Sequence, residues 1–178
     1  VYLRDNQDLL IEGLGDPFFV SEEIHLLGKE LRGKIPSKIR HLLLDNTAFK
    51  FPLKADGVES SRNSYDALNG ALLVNFNTVY LKKNIDETLA SAEKQTPLTP
   101  LTISLGKQIK PGKQRINLAK DPALAQRYSG ELMQAIWKEN DFEFTGEIKN
   151  SRRSEDDKFI LQYKNSKSLK EILKAMLK

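Results

Sequence analysis

The chain has 178 residues, long enough for a sizeable core, and its 39% hydrophobic content with 8 Phe, 5 Tyr and 1 Trp excludes a disordered polypeptide. Twenty-eight Lys and Arg against 24 Asp and Glu leave a net charge of +4 with the two signs interspersed, a solvated surface with at most a mild attraction to acidic polymers. There is no cysteine, which excludes disulfides and thiolate metal sites, and no apolar run approaches the ~18 residues a membrane helix needs.

The opening "VYLRDNQDLLIEGLGD" predicts two short strands around a turn at Asp5-Asn6-Gln7-Asp8. Gly13 and Gly15 relax the backbone before Asp16-Pro17, with Gly15 for a tight turn and Asp16 for its cap. Ser21 is the expected N-cap of a helix with Glu22 and Glu23 in its first turn, an Ile24, Leu27, Leu31 stripe and a stop at Gly33. "HLLLD" is the apolar run of a buried strand, and residues 50–66 are a candidate for a long loop or flap. "GALLVNFNTVYLKK" is the strongest strand signal, too apolar for an exposed strand. Residues 83–100 resemble a connection with a short helix, and "LTISLG" and "QRINLA" are strand candidates around a turn at residues 110–112. Asp121-Pro122 starts a helix with Leu124, Tyr128, Leu132 and Ile136 inward, running to about Asn140. "FEFTGEI" and "KFILQYK" are expected to form a hairpin around "NSRRSEDD". The last helix has a Ser168–Glu171 capping box and an apolar face of Leu169, Ile172, Leu173 and Met176. Together these elements predict an α/β (α+β) class, a mostly antiparallel mixed sheet with three main helices.

For nucleophilic chemistry, Ser-x-x-Lys would set a lysine base beside a serine on one helix face. The spacing occurs at Ser91–Lys94, in a polar connection without an apolar face to bury the lysine, and at Ser104–Lys107, in strand-like sequence where the geometry would not bring the groups together. Ser61–Asn63 matches Ser-x-Asn, but no Lys-Thr-Gly or Lys-Ser-Gly occurs. His25 and His41 lie on different elements without an acidic residue at a ligand spacing, so no metal site is expected. "GLGDP" is no phosphate loop, and Arg152 and Arg153 are offset by Glu155, Asp156 and Asp157, unlike a nucleic-acid stripe.

"LLIEGLGDPFFVSEEI", "LLLDNTAF" and "YDALNGALLVNFNTV", in that order, resemble the class C penicillin-binding proteins, D-alanyl-D-alanine carboxypeptidases and endopeptidases of the penicillin-binding protein 4 type. The resemblance continues through "AQRYSGELMQAIWKENDFEFTGEI" and "NSKSLKEILKAML" and is weakest over residues 83–112. It implies that the family's Ser-x-x-Lys lies upstream of Val1 and its Ser-x-Asn and Lys-Thr-Gly beyond Lys178, so that no catalytic residue is carried and Ser61, Ser91 and Ser104 are decoys. Residues 1–165 would then be the inserted domain and residues 166–178 the start of a helix returning to the catalytic domain. The implied whole is a periplasmic serine peptidase that acts on peptidoglycan stem peptides through an acyl-enzyme and binds beta-lactams only in its full-length form, without cofactor or metal. The family position for meeting the amine of the diamino acid falls on Asp45, with Phe49 as an apolar wall; an Asx-turn into Asn46-Thr47 is the structural alternative for Asp45. Asn75 and Asn77 match a family Asn-x-Asn, read as structural. A homodimer through the apolar face of the last helix is a further expectation, and the rival to the whole reading is a free-standing module that binds peptidoglycan or a protein without chemistry.

Overall fold

The computed structural model describes residues 1–5, 7–49, 69–118 and 121–176. The expected flap at residues 50–66, with Ser61 and Asn63, and Asn6 of the first turn lie outside them. β1 (Tyr2–Arg4) and β2 (Asp8–Glu12) pair antiparallel around the expected turn, closed by the Gln7 N–H on the Arg4 carbonyl at 3.1 Å. β2 lies parallel to β4 (Leu42–Asp45), four residues buried without a break, and β4 lies parallel to β9 (Ile148–Asn150). With β10 (Lys158–Phe159) antiparallel to β1, the order of this five-stranded sheet is β10-β1-β2-β4-β9. A second sheet of three strands runs β6-β5-β7 from β5 (Thr78–Lys83), β6 (Leu89–Ser91) and β7 (Gly112–Asn117), antiparallel throughout. β3 (Lys38–Ile39) and β8 (Glu143–Phe144) make a short parallel pair. Four of these seven pairings are antiparallel, as the sequence leads one to expect for the class.

Helix α1 (Ser21–Leu31) packs its Ile24, Leu27 and Leu31 stripe into the core and ends before Gly33, which takes φ +75°. Helix α3 (Pro122–Lys138) starts on the Asp121 carboxylate, which accepts the Ala123 N–H at 2.9 Å. The two helices approach where α1 carries Gly28: a Cβ there would stand 2.5 Å from Trp137 Cδ1. That contact lets the fully buried indole donate from Nε1 to the Ile24 carbonyl at 2.8 Å.

The structure corrects four expectations. "LTISLG" is a helix, α2 (Pro100–Gly106), because Thr99 and Thr102 form a reciprocal capping box and Pro100 occupies the first turn; these outweigh the alternation of Leu101, Ile103 and Leu105. A strand, β6, occupies part of the 83–100 connection in place of the short helix. "FEFTGEI" and "KFILQYK" do not pair, since β9 and β10 lie on opposite edges of the large sheet, and the charges between them find partners elsewhere: Arg153 Nε meets Glu12 at 3.5 Å, while Asp157 accepts a bidentate pair from Arg4 at 2.7 and 2.8 Å.

The fourth correction concerns Ser21 and the strong strand signal. Ser21 is the first helical residue and caps nothing; Val20 precedes it without a side-chain bond. The strand begins only at Thr78, because Asn75, Phe76 and Asn77 take φ of 46°, 55° and 52°, left-handed conformations that Asn accepts and Phe does not. The buried Asn75 side chain joins both facts. Its Oδ1 accepts the Ser21 N–H at 2.9 Å, supplying the cap from across the fold, and its Nδ2 donates to Ser21 Oγ at 2.9 Å and to the Tyr128 hydroxyl at 3.2 Å. Burial pushes the Tyr128 pKa up to about 12, so the phenol stays a neutral partner.

The segment leading to the last helix, α4 (Leu169–Met176), is strapped to α1 by one carboxylate. Glu23, 2% exposed, accepts the Tyr163 hydroxyl at 2.6 Å, the Ser166 N–H at 2.9 Å and the Ser166 hydroxyl at 2.5 Å. Ser168 and Glu171 form the expected capping box, and Ile172 is buried while Leu169 and Leu173 stand exposed.

Asn75→Ala should lower the unfolding free energy by about 2–4 kcal/mol, since it orphans the Ser21 N–H and the Tyr128 hydroxyl inside the core, whereas Ser21→Ala should cost about 1 kcal/mol. Urea denaturation of the two variants tests this, and equal losses would remove Asn75 from its role. A second expectation concerns acid. Burial raises the Glu23 carboxyl, but its Ser166 and Tyr163 donors outweigh it and hold the pKa below its ordinary value. Arg40 beside Asp8 and Arg4 beside Asp157 depress those two likewise. Groups with folded pKa values below their unfolded ones contribute stability that is complete above the ordinary carboxylate range, about pH 4, and is lost as pH falls through the depressed values. A urea midpoint that drops below about pH 4 is the expected result for these three carboxylates; Glu23→Gln should flatten that drop.

Candidate groove at the strand ends

β2, β4 and β9 point the same way, so their carboxyl ends, Glu12, Asp45 and Asn150, share one edge of the large sheet. In open parallel sheets ligands bind outside such ends. Here a shallow groove lies there, with Leu44 and Asn46 from β4 and its exit, Asn150 and Arg152 from the β9 end, Gln126 from α3, and Phe49 as one wall.

Asp45 is 3% exposed, and both of its oxygens are engaged. Oδ1 accepts the Thr47 N–H at 2.9 Å and the Thr47 hydroxyl at 2.7 Å, an Asx-turn, and Oδ2 accepts the Arg153 N–H at 2.6 Å. Burial raises its pKa, and the Arg153 N–H, the Thr47 donors and the Arg152 charge together overcome that, leaving the carboxyl below its ordinary value and ionised at neutral pH. A carboxylate offers about four acceptor positions, so one remains on Oδ2. Phe49 is 43% exposed, with its ring lying over Gly15. Gly15 takes φ +84°, and a Cβ there would stand 2.3 Å from the ring, so only glycine lets the loop pass beneath it.

Between them, Asn46 accepts the Leu72 N–H on Oδ1 at 2.7 Å, which fixes the amide's orientation and leaves its buried Nδ2 without a partner. Arg152 makes no ion pair within 4 Å among the described residues. Sequence reasoning did not single out Asn46, Gln126 or this role for Arg152. Asn46 is legible only as the next letter of the Asp45 turn, and Arg152 was read as offset by its acidic neighbours. A separate cavity of about 190 Å³ under the 161–163 segment, lined by Phe19, Leu27, Leu72 and Tyr163, is smaller than the ~300 Å³ at which ligand pockets begin.

The other candidates do not assemble. Ser91 Oγ donates to the Glu93 carbonyl at 2.8 Å, a local turn that does not involve Lys94. Ser104 and Lys107 do share a helical spacing, contrary to the strand reading, since Ser104 lies in α2 and Lys107 is its αR C-cap; yet both are exposed, without the burial that would lower a lysine's pKa. His41 Nδ1 accepts the Glu147 N–H at 2.9 Å, and His25 Nδ1 faces Asn140 at 3.4 Å on another element. No cluster of three His, Asp or Glu suited to a metal occurs among the described residues, nor is any described helix long and apolar enough to cross a membrane.

The fold itself is known. The chain superposes on penicillin binding protein 4 from Haemophilus influenzae with a TM-score of 0.59 at 15% identity, over 88% of this chain and 42% of that one. A crystal structure of the same protein complexed with a novel beta-lactam matches with a TM-score of 0.52 at 14% identity, over 88% of this chain and 40% of that one. No protein-family model and no curated protein sequence matches. The chain spans about two fifths of the length of the solved structures it matches, and it has the fold of that part.

Proposed function

We propose that this chain is the accessory α/β domain of a periplasmic serine D,D-peptidase of the class C penicillin-binding kind, with residues 1–165 as the inserted domain and residues 166–178 as the start of the returning helix. The carrying observation is the superposition: nearly nine tenths of the chain lies on only two fifths of a penicillin-binding chain, while the described Ser-x-x-Lys spacings are surface coincidences. On this reading the parent enzyme opens the peptide bond through an acyl-enzyme on a serine in another segment, and this domain receives the stem peptide. The groove at the strand ends supplies the means. Phe49 offers an apolar wall, and Asp45, buried at the strand end between the lining residues Leu44 and Asn46, offers a fixed negative charge with one unused acceptor position for a substrate ammonium.

A second reading of Asp45 has its own observation. Three protein donors already hold the carboxylate, so its task is to fix the Thr47 turn and the Arg153 backbone, and the ammonium is met elsewhere.

Incubated with a fluorescent penicillin and run on a denaturing gel, the 178-residue chain should carry no covalent label. A labelled band would make one of the dismissed serines the nucleophile. The groove is tested by titrating the chain calorimetrically with a stem tripeptide ending in a diamino acid, free or acetylated at the side-chain amine. Phe49→Ala should weaken binding by roughly tenfold. Acetylation should weaken it by a similar factor in the wild type and have no effect in Asp45→Asn, as a direct ammonium–carboxylate contact requires. If acetylation costs Asp45→Asn as much as the wild type, Asp45 is structural and the first reading of it falls.

A further inference from the structure

The three-stranded sheet ends in a surface unlike the rest of the molecule. β5 and β6 are joined by a turn at Asn84-Ile85-Asp86-Glu87, and Ile85 at its tip is 92% exposed, the most exposed of the large hydrophobic side chains described. Turn tips normally carry polar residues, and this one is rigid. The Glu87 N–H donates to the Asn84 carbonyl at 3.1 Å, the Asn84 N–H to the Thr88 carbonyl at 2.9 Å, and Asp86 Oδ1 accepts the Thr88 hydroxyl at 2.7 Å. The isoleucine is therefore presented on a braced loop.

Around it the chain gathers lysines. Lys82 on β5 stands directly opposite Lys113 on β7, an arrangement in which like charges destabilise a sheet. Lys107 and Lys110 reach the same end: the Lys107 carbonyl lies 3.4 Å from Lys83 Nζ, and the turn at Pro111-Gly112 borders the Ile85 tip. All four are exposed, and among the described residues none has a carboxylate within 4 Å. The two acidic residues of the tip are engaged internally, Glu87 with the buried Lys83 at 2.5 Å and Asp86 with Thr88. Asp86 keeps its charge, so the four lysines leave a net positive tip, which calls for an anionic partner. A fully exposed isoleucine at its centre selects which one, because an aliphatic side chain gains from hydrocarbon and nothing from a soluble polyanion.

We propose that the Ile85 tip, with Lys82, Lys107, Lys110 and Lys113, docks on the surface of an anionic phospholipid bilayer, the lysines at the headgroups and Ile85 inserted among the acyl chains. This surface belongs to a different sheet from the groove, so the inference does not rest on the peptidase reading. The test is flotation of the 178-residue chain with vesicles of phosphatidylcholine alone or of equimolar phosphatidylcholine and phosphatidylglycerol, with circular dichroism to confirm that each variant is folded. The chain should float with the phosphatidylglycerol vesicles alone and be released by high salt. Lys82→Ala and Lys113→Ala should each lower the partition coefficient about fivefold, the equivalent of ~1 kcal/mol per lysine, and Ile85→Asp about tenfold. Equal flotation with both vesicle types, or lysine variants that bind like the wild type, would overturn the proposal. So would an Ile85→Asp chain that still binds normally and is displaced by soluble polyphosphate, which would assign the surface to acidic polymers.

Discussion

Two parallel strands cannot be joined by a tight turn, and β4 has a parallel neighbour on each side. The chain therefore has to leave the large sheet and cross back twice, once between β2 and β4 and once between β4 and β9. The first crossing is made through α1. The second carries the whole three-stranded sheet and then α3. Both helices end packed together through the Gly28–Trp137 contact. It follows that β4 is buried along its full length, and that the groove forms where the chain leaves the strand ends, at Asn46, Asn150 and Arg152. The groove at the strand ends is a consequence of that topology before it is a matter of any particular side chain.

Buried polar side chains do the joining that apolar packing leaves undetermined. Asn75 sits where α1, α3 and the start of β5 meet, and one amide satisfies a helix N–H, a serine hydroxyl and a tyrosine hydroxyl. Glu23 plays the corresponding part for the segment before α4. Each fixes a geometry that leucines could pack in several ways, and each would cost the desolvation of its orphaned partners if removed. Asp45 shares this character, which is why its burial and its charge point to two different tasks. A carboxylate bound by backbone donors is a rigid source of negative potential as well as a structural pin. Only the one unused acceptor position separates the two.

How much of this was legible in the sequence depended on how local its cause was. β1, β2, α1, β4 and α3 follow from apolar runs, a 3.6-residue stripe or a Pro-started helix, and all are present within a residue or two. "LTISLG" was misread because alternation over five residues is weak evidence, while the Thr99-Pro100 start was in plain view. The division of β9 from β10 and the capping of α1 by Asn75, 54 positions away, have no local signature at all. Likewise Asp45 could be named from its place at a strand end, and its Asx-turn from Asn46-Thr47, but the Arg153 N–H on its other oxygen comes from 108 residues along the chain.

The Asn75 turn also ties the small sheet to the rest of the fold. β5 leaves directly from the left-handed residues 75–77, and Leu118, at the far end of β7, donates back to the Asn77 carbonyl at 2.8 Å. Arg115 on β7 reaches Thr78 at 2.7 Å, and Thr96 beyond β6 meets Ser21 at 2.7 Å. β7 is thus tied to the Asn77-Thr78 start of β5 and the segment after β6 to the α1 start that Asn75 caps, while the lysine-bearing tip lies at the opposite end of β5. The three residues with positive φ therefore start β5 where α1 begins, and strain at Phe76 is the local cost of that junction.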